Sequence, residues 1–414
     1  MGSKPCACSR SSAWVGPSDP DAGVAALAAV SQIGACRNRK VVITLTAPKQ
    51  PLESSCLQQQ GGFAWWYLDI CDEDARRGLV LIVSYGLPFL PGIADAARRG
   101  VPGDPRLRPS INLATYDRGR TSCYVLQELA PQQAHWLATA DGEEWRFGDS
   151  TLVLRNAGEE LIIEADLAIV IDGLTKIEGQ LNVRGAPRLP SHDEELVGSV
   201  EHSWSPQTGV AHGEVSLDID GTPFSFAGRA YHDRNGSRRP LHELGIERWI
   251  WGRASFPDEE RIVYALWPQH RGPVEAFGVS VLRNGRTHIT RDLDVEIDQR
   301  RTWLGVPALR RARFLRGDSV FLSADAEKPV DVGPFYSRSL WRAQAEDVSG
   351  TAPGFCEVVV PDRVDLPRHR PLVRMRVATP SPSLWLPLFC GPQAGRFERL
   401  WGSLRGRMRR LVLQ

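Results

Sequence analysis

The stretch that decides the fold class is "ELIIEADLAIVIDGLTKIEGQLNV", residues 160–183. Apolar residues recur at alternate positions on both sides of Asp172-Gly173. Side chains of a strand point alternately to opposite faces, so this period marks two half-buried strands. An Asp-Gly pair between alternating runs is a hairpin signal. The pattern recurs outward in both directions. "LVLIVSY" (79–85), "STLVLRN" (150–156), "GEVSLDI" (213–219), "FSFAGRAY" (224–231), "RIVYALW" (261–267), "EAFGVSVL" (275–282) and "FCEVVV" (355–360) are β-branched or alternating. Asp141-Gly142, Asp220-Gly221 and Asn284-Gly285 punctuate them. Many short strands at roughly 8–12 residue spacing predict an all-β sandwich or barrel. The run is too long for one small barrel. Two β-domains are expected, 41–211 and 212–378, with "RGAPRLPSHDEE" (184–195) as the linker before their seam.

The two ends differ from this body. Residues 1–40 are rich in Ser, Gly, Pro and Ala and read as a flexible N-terminal extension. Within them "VAALAAVSQIGAC" (24–36) is short and interrupted by Ser31 and Gln32, so it is not read as a secretion signal. Residues 379–414 form a C-terminal tail. In "GRFERLWGSLRGRMRRLVLQ" (395–414), Phe397, Leu400, Trp401, Leu404, Met408 and Leu411 make one helical stripe opposite Arg396, Arg399, Arg405, Arg407, Arg409 and Arg410. A basic amphipathic helix of this kind suits an anionic membrane surface; packing on the body of the protein is the competing reading.

Composition narrows the function. The 414 residues are 42% hydrophobic, enough for a sizeable core, and carry a net charge of +1. That balance lacks the electrostatic footprint of a nucleic-acid binder. No apolar run approaches about 18 residues, which excludes a transmembrane helix. The eight cysteines include no CxxC pair, so neither a zinc framework nor a dense disulfide scaffold is expected. A reduced, cytoplasmic chain is expected, with peripheral contact at the inner membrane surface through 395–414. No P-loop, dinucleotide glycine motif, HExxH or nucleophile elbow occurs, so no metal and no cofactor is implied.

Two neighbouring stretches carry candidate chemistry. "GRAYHDRNGS" (228–237) brings together Tyr231, His232, Asp233 and Asn235. Asp233 or His232 would serve as a proton donor if buried, because burial keeps a carboxyl protonated near neutrality. Asn235 could orient that donor or hold a water. A polar turn with Asn235-Gly236 at its tip is the competing reading. In "ERWIWGRA" (247–254), Trp249 and Trp251 share one face of a strand. Such a pair packs as core or lines a pocket for a long apolar ligand, where each ring stabilises a passing cation by roughly 0.5–2 kcal/mol. "GGFAWWYLDICDED" (61–74) adds Phe63, Trp65, Trp66, Tyr67 and Asp69; "GPFYSRSLW" (333–341) adds Tyr336 and Arg338; "HSWSP" (202–206) lies between the modules.

Taken in order, "GGFAWWYLD", "HSWSP", "GRAYHDRNG", "PLHELGIERWIWGRA", "IVYALW" and "PFYSRS" make the chain resemble the carotenoid 1,2-hydratases, also called hydroxyneurosporene synthases. The likeness runs over about residues 60–378, in a superfamily that includes fungal Diels–Alderase-type cyclases. It implies two lipocalin-like β-barrels, a ligand pocket and no cofactor. It also implies a hydro-lyase that adds water to the terminal 1,2 double bond of an acyclic carotenoid of the neurosporene or lycopene type, through acid protonation and a tertiary carbocation. On this resemblance Asp233 is the general acid, and His232 or Asn235 orients it or the water. Tyr264 completes the catalytic set, and with Trp249 and Trp251 it lines the cation site. Trp65, Trp66, Tyr67, Tyr231 and Tyr336 bind substrate. The chain departs from the family pattern at Ile250, where an acid usually separates the tryptophans, and at Ala265 and Leu266, where an aspartate usually follows the tyrosine. Two alternatives stand beside the hydratase: a cofactor-independent polyene cyclase, and a non-catalytic binder of an apolar ligand.

Overall fold

Glu160–Ile171 and Thr175–Pro187 pair antiparallel, with Ile171 opposite Thr175, and the burial of the first strand alternates in step with its sequence. The computed structural model describes residues 43–45, 54–86, 88–89, 93–171, 175–190, 202–269, 272–302, 305–326, 329–372 and 375–378. These belong to one compact unit, Lys40–Gln414. The expected N-terminal extension (1–40) and the amphipathic helix at 395–414 lie outside the described residues.

Within them the protein is almost entirely β, with two short α-helices, Ser54–Leu57 and Ile93–Arg98. The first sheet has fourteen strands. From one edge it runs Arg376–Ala378, Arg120–Glu128, Pro109–Asp117, Gly78–Tyr85, Phe63–Cys71, Thr222–Ser237, Thr208–Ile219, Thr175–Pro187, Glu160–Ile171, Ser150–Ala157, Gly142–Phe147 and Ala134–Ala138. His202–Pro206 pairs with Thr222–Ser237 and also with Ile43–Leu45. The sheet curls until Pro109–Asp117 meets Gly142–Phe147 and Arg120–Glu128 meets Glu160–Ile171. The second sheet has ten strands. It runs Thr287–Thr290, Glu275–Leu282, Glu259–Pro268, Ile246–Ser255, Val348–Val359, Tyr336–Ala345, Ser319–Asp325, Pro307–Arg316 and Asp294–Arg301, with Pro329–Val332 paired beside Tyr336–Ala345.

The change of sheet falls between Ser237 and Ile246. The seam expected at 211/212 is therefore displaced. Residue 211 lies inside Thr208–Ile219, which is hydrogen-bonded to Thr175–Pro187 on one side and Thr222–Ser237 on the other, so Thr208–Ile219 and Thr222–Ser237 both continue the first sheet. The chain also returns to the first sheet at its far end, where Arg376–Ala378 pairs in parallel with Arg120–Glu128.

Three apolar cores result. One, with Trp145, Ile163, Leu167 and Leu217, fills the curl of the first sheet. Another, with Ile250, Phe256, Phe314 and Trp341, fills the second. The third is rich in aromatic residues and draws on both sheets: Phe63, Trp65, Tyr67, Trp204 and Tyr231 from the first, Trp249, Trp251, Tyr264 and Phe355 from the second. The strands bordering this third core are buried on both faces, so their sequences lose the polar alternation of a half-exposed strand. Phe63–Cys71 sends Phe63, Trp65 and Tyr67 to the third core and Trp66, Leu68 and Ile70 to the first. A Cβ on Gly252 would stand 2.3 Å from the Trp341 ring, so only glycine lets that indole pack against the strand carrying Trp251.

Candidate functional site

Thr222–Ser237 places Tyr231, Asp233 and Asn235 on the face that looks into the third core, and its neighbour Phe63–Cys71 sets Tyr67 opposite Asp233 and Trp65 opposite Asn235. The Asp233 carboxyl is buried. Its Oδ2 accepts from Trp204 Nε1 at 2.7 Å and from the Tyr231 hydroxyl at 2.8 Å. Its Oδ1 accepts from Asn235 Nδ2 at 2.7 Å. The Asn235 oxygen faces His202 Nε2 at 3.1 Å, so with this amide orientation Nε2 carries the histidine proton. Burial pushes Asp233 up to about 7, although the bonds from Trp204, Tyr231 and Asn235 oppose the rise. Burial also holds His202 down to about 4, so that ring is neutral at pH 7. The result is a carboxylic acid half-protonated near neutrality and braced by three donors.

Around it stand aromatic rings. The Trp251 centroid is 5.2 Å from Tyr67 and 5.7 Å from Tyr231. Tyr264 meets Trp204 edge-on at 5.0 Å and stacks on Phe277 at 5.4 Å. A cavity of about 50 Å³ opens among them, lined by Trp65, Tyr67, Asp233, Asn235, Trp249 and Tyr264, among others. A second cavity of about 70 Å³ adjoins it and shares Ile82, Phe89, Glu357 and Val359. A far larger depression of about 1000 Å³ lies elsewhere, walled by charged residues such as Asp74, Arg76, Arg310 and Arg311. It holds none of the expected site residues.

A buried ion network ties the sheets together. Arg253 pairs with Asp69 of the first sheet and Glu260 of its own, and all three side chains are fully buried. Arg338 binds Glu357 and the Tyr116 hydroxyl. Among the described residues no cluster of His, Cys, Asp and Glu could hold a metal, and no helix is long and apolar enough to cross a membrane.

The family model of carotenoid hydratase CrtC matches residues 82–383. The chain belongs to the carotenoid hydratase family. It is 27% identical over 291 residues to the acyclic carotenoid 1,2-hydratase of Rubrivivax gelatinosus, covering 68% of this chain and 65% of that protein. It is 26% identical over 223 residues to the acyclic carotenoid 1,2-hydratase of Thiocapsa roseopersicina, covering 51% of this chain and 49% of that one. The chain thus spans less than two thirds of the length of these two curated relatives. In fold it is similar to a solved AttH protein of Nitrosomonas europaea, with a TM-score of 0.53 at 13% identity over 78% of this chain and 100% of that one.

In this carotenoid hydratase family member the expected residues separate into groups. Asp233, Asn235, Tyr264, Trp65, Tyr67, Trp249 and Trp251 line one cavity. Tyr231 stands behind Asp233 as a hydrogen-bond donor. Tyr336 lines the adjoining cavity, its hydroxyl bonded to Asp331. Two residues are misplaced by the sequence reading. His232 follows the opposite parity to Asp233; its Nδ1 meets the Tyr67 carbonyl at 2.9 Å, and burial holds it down to about 3. It reaches neither Asp233 nor the cavity. Trp66 points into the first core against Trp145, because it alternates with Trp65 and Tyr67. The departures at Ile250 and Ala265 also change meaning. Both side chains pack in the second core, on the face away from Asp233, so an acid at either position would not enter the cavity. Sequence reasoning missed His202, Trp204 and Glu357. "HSWSP" signalled the first two, but as a connection.

Proposed function

We propose that the protein is a hydro-lyase that adds water to a terminal trisubstituted alkene of an acyclic carotenoid of the lycopene or neurosporene type. The observation that carries this reading is the buried Asp233 carboxyl, braced by Trp204, Tyr231 and Asn235 and presented to an aromatic cavity, where burial raises its pKa. An isolated alkene is a very weak base and needs such an acid close by in a dry site. The Asp233 O–H breaks as its proton joins the less substituted alkene carbon. The π pair forms the new C–H bond and leaves a tertiary cation at the other carbon. The faces of Trp249, Trp251 and Tyr264 stabilise that cation by roughly 0.5–2 kcal/mol each. Trp204, Tyr231 and Asn235 hold the carboxylate formed by proton loss, as their bonds favour the charged form. Water then captures the cation, gives up a proton and leaves a tertiary alcohol. The adjoining apolar cavity takes the start of the polyene, each buried CH₂-sized group adding roughly 0.8 kcal/mol of binding.

A polyene of this kind partitions into lipid. The arginine-flanked stripe read in the sequence of 395–414 supplies a membrane-surface contact, tested by flotation of the full chain with anionic vesicles. The reaction itself is tested by expression in bacteria accumulating lycopene or neurosporene. A hydroxylated pigment heavier by one water is expected. Its absence, with soluble protein present, refutes the reading.

A further inference from the structure

Hydration of an alkene involves two proton movements: one delivered to carbon, one released by the captured water. Asp233 accounts for the first. For the second, the opposite wall of the same cavity carries another carboxyl, Glu357. It sits on Val348–Val359, directly opposite Trp251 on one neighbouring strand and Arg338 on the other. Directly opposed strand residues project to the same side, which brings Glu357 to the cavity from the second sheet while Asp233 enters from the first. Glu357 Oε1 accepts from Arg338 Nε at 2.7 Å and from the Tyr67 hydroxyl at 3.4 Å. Oε2 accepts from neither. Its cross-strand partner Trp251 has a buried indole N–H with no protein acceptor. An unpaired buried donor costs roughly 1–3 kcal/mol, and Trp251 and Glu357 line the same cavity. The cavity, about 50 Å³, exceeds the roughly 10–15 Å³ that a bound water requires.

We propose that Glu357 and the Trp251 indole N–H hold the nucleophilic water, and that Glu357 takes its proton. This rests on the hydratase reading above. The water oxygen forms the C–O bond with the tertiary cation, and one of its O–H bonds breaks toward Glu357. The protein is then left with a carboxylate at Asp233 and a protonated Glu357. Exchange with solvent removes the second proton and restores the first, so the net reaction consumes one alkene and one water.

The two proton movements can be read separately. Full-length protein is incubated with detergent-dispersed lycopene in D₂O. The alcohol is measured by chromatography, and deuterium at the olefinic carbon of recovered lycopene by mass spectrometry. A cation that is formed but not captured returns a proton to Asp233 and exchanges. Glu357→Gln keeps the shape of the side chain and is expected to lower alcohol formation on the order of 100-fold while exchange persists. Trp251→Phe keeps a ring face for the cation without the donor, and is expected to lower alcohol formation about tenfold more than it lowers exchange. Asp233→Asn is expected to lose both. Alcohol formation by Glu357→Gln within about threefold of the unaltered protein overturns the proposal. So does a parallel loss of alcohol and exchange in both Glu357→Gln and Trp251→Phe, which would mark a purely structural role. Unaltered protein that neither hydrates nor exchanges refutes the hydratase reading instead.

Discussion

Replacing Asp233 by Asn sets stability against activity in a way that depends on pH. The folded-state pKa of Asp233 is raised from 3.8 to about 7, chiefly by burial. Between these values the folded protein holds a proton that the unfolded chain has released. The contribution of this group to stability is therefore complete below about pH 4 and is lost as pH rises through about 7. With a pKa unit equivalent to about 1.36 kcal/mol, this rise corresponds to roughly 4 kcal/mol. An asparagine at 233 is neutral throughout. Its oxygen can take the bonds from Trp204 and Tyr231, and its NH₂ can be accommodated if the Asn235 amide turns over and His202 changes tautomer. The variant should therefore gain on the unaltered protein by roughly 2–3 kcal/mol as pH rises from about 5 to 8, the remainder of the roughly 4 kcal/mol falling below about pH 5, and then show no further change. Other groups that titrate in this range, including Glu260 at about 7, occur in both proteins and drop out of the difference. Urea unfolding at several pH values measures it directly, provided the slope m stays constant. Hydration should fall by roughly 10²–10⁴ in the same variant. A stability difference independent of pH, or a variant hydrating within tenfold of the original, refutes the assignment of Asp233 as a neutral buried acid.

Three further substitutions separate the parts of the site. Trp204→Phe removes a bond that lowers the Asp233 pKa, so the alkaline limb of the pH–rate profile should move to higher pH; the profile of alcohol formation checks the direction. His232→Gln should cost roughly 1–3 kcal/mol from its buried position yet leave hydration per folded molecule within about twofold, as urea unfolding and initial rates will show. Arg253→Met leaves Asp69 and Glu260 buried without their cation and should destabilise the fold by roughly 3–5 kcal/mol, read as a lower urea midpoint.

The period of two in "ELIIEADLAIVI" was enough to read the fold class, because one face of that strand meets the first core and the other is partly exposed. The same period put Trp249 and Trp251 on one wall. It fails in "FAWWYLDIC", where every residue is buried and nothing local says which aromatic belongs to which core. Only the pairing of Asp233 with Tyr67 and Asn235 with Trp65 sets that parity and turns Trp66 away. The exclusion of His232 was legible in principle, since adjacent strand residues cannot share a face with Asp233. Ending the strand at Tyr231 hid it. His202 and Trp204 occupy a five-residue strand buried throughout, and their roles depend on partners about thirty positions away in sequence. Glu357 looks like a lone acid in the apolar run "FCEVVV". Its position follows from register with Trp251 and Arg338, which no local pattern encodes. The displaced seam has the same origin: the linker-like stretch begins inside the strand Thr175–Pro187, and the next described strands, His202–Pro206 and Thr208–Ile219, belong to the same first sheet.

The return of Arg376–Ala378 to the edge of the first sheet means that the second sheet, entered at Ile246 and left at Val359, is spliced into the first rather than appended to it. A protease cutting the outgoing connection at 238–245 would leave the halves clasped through the strand beside Arg120–Glu128. The acid and its aromatic cage would stay in apposition after such a nick, and a second cut, beyond Val359, would leave the shared aromatic core and the Arg253–Asp69 pair as what joins them. Exchanging the inserted sheet between relatives would likewise require two junctions to fit at once.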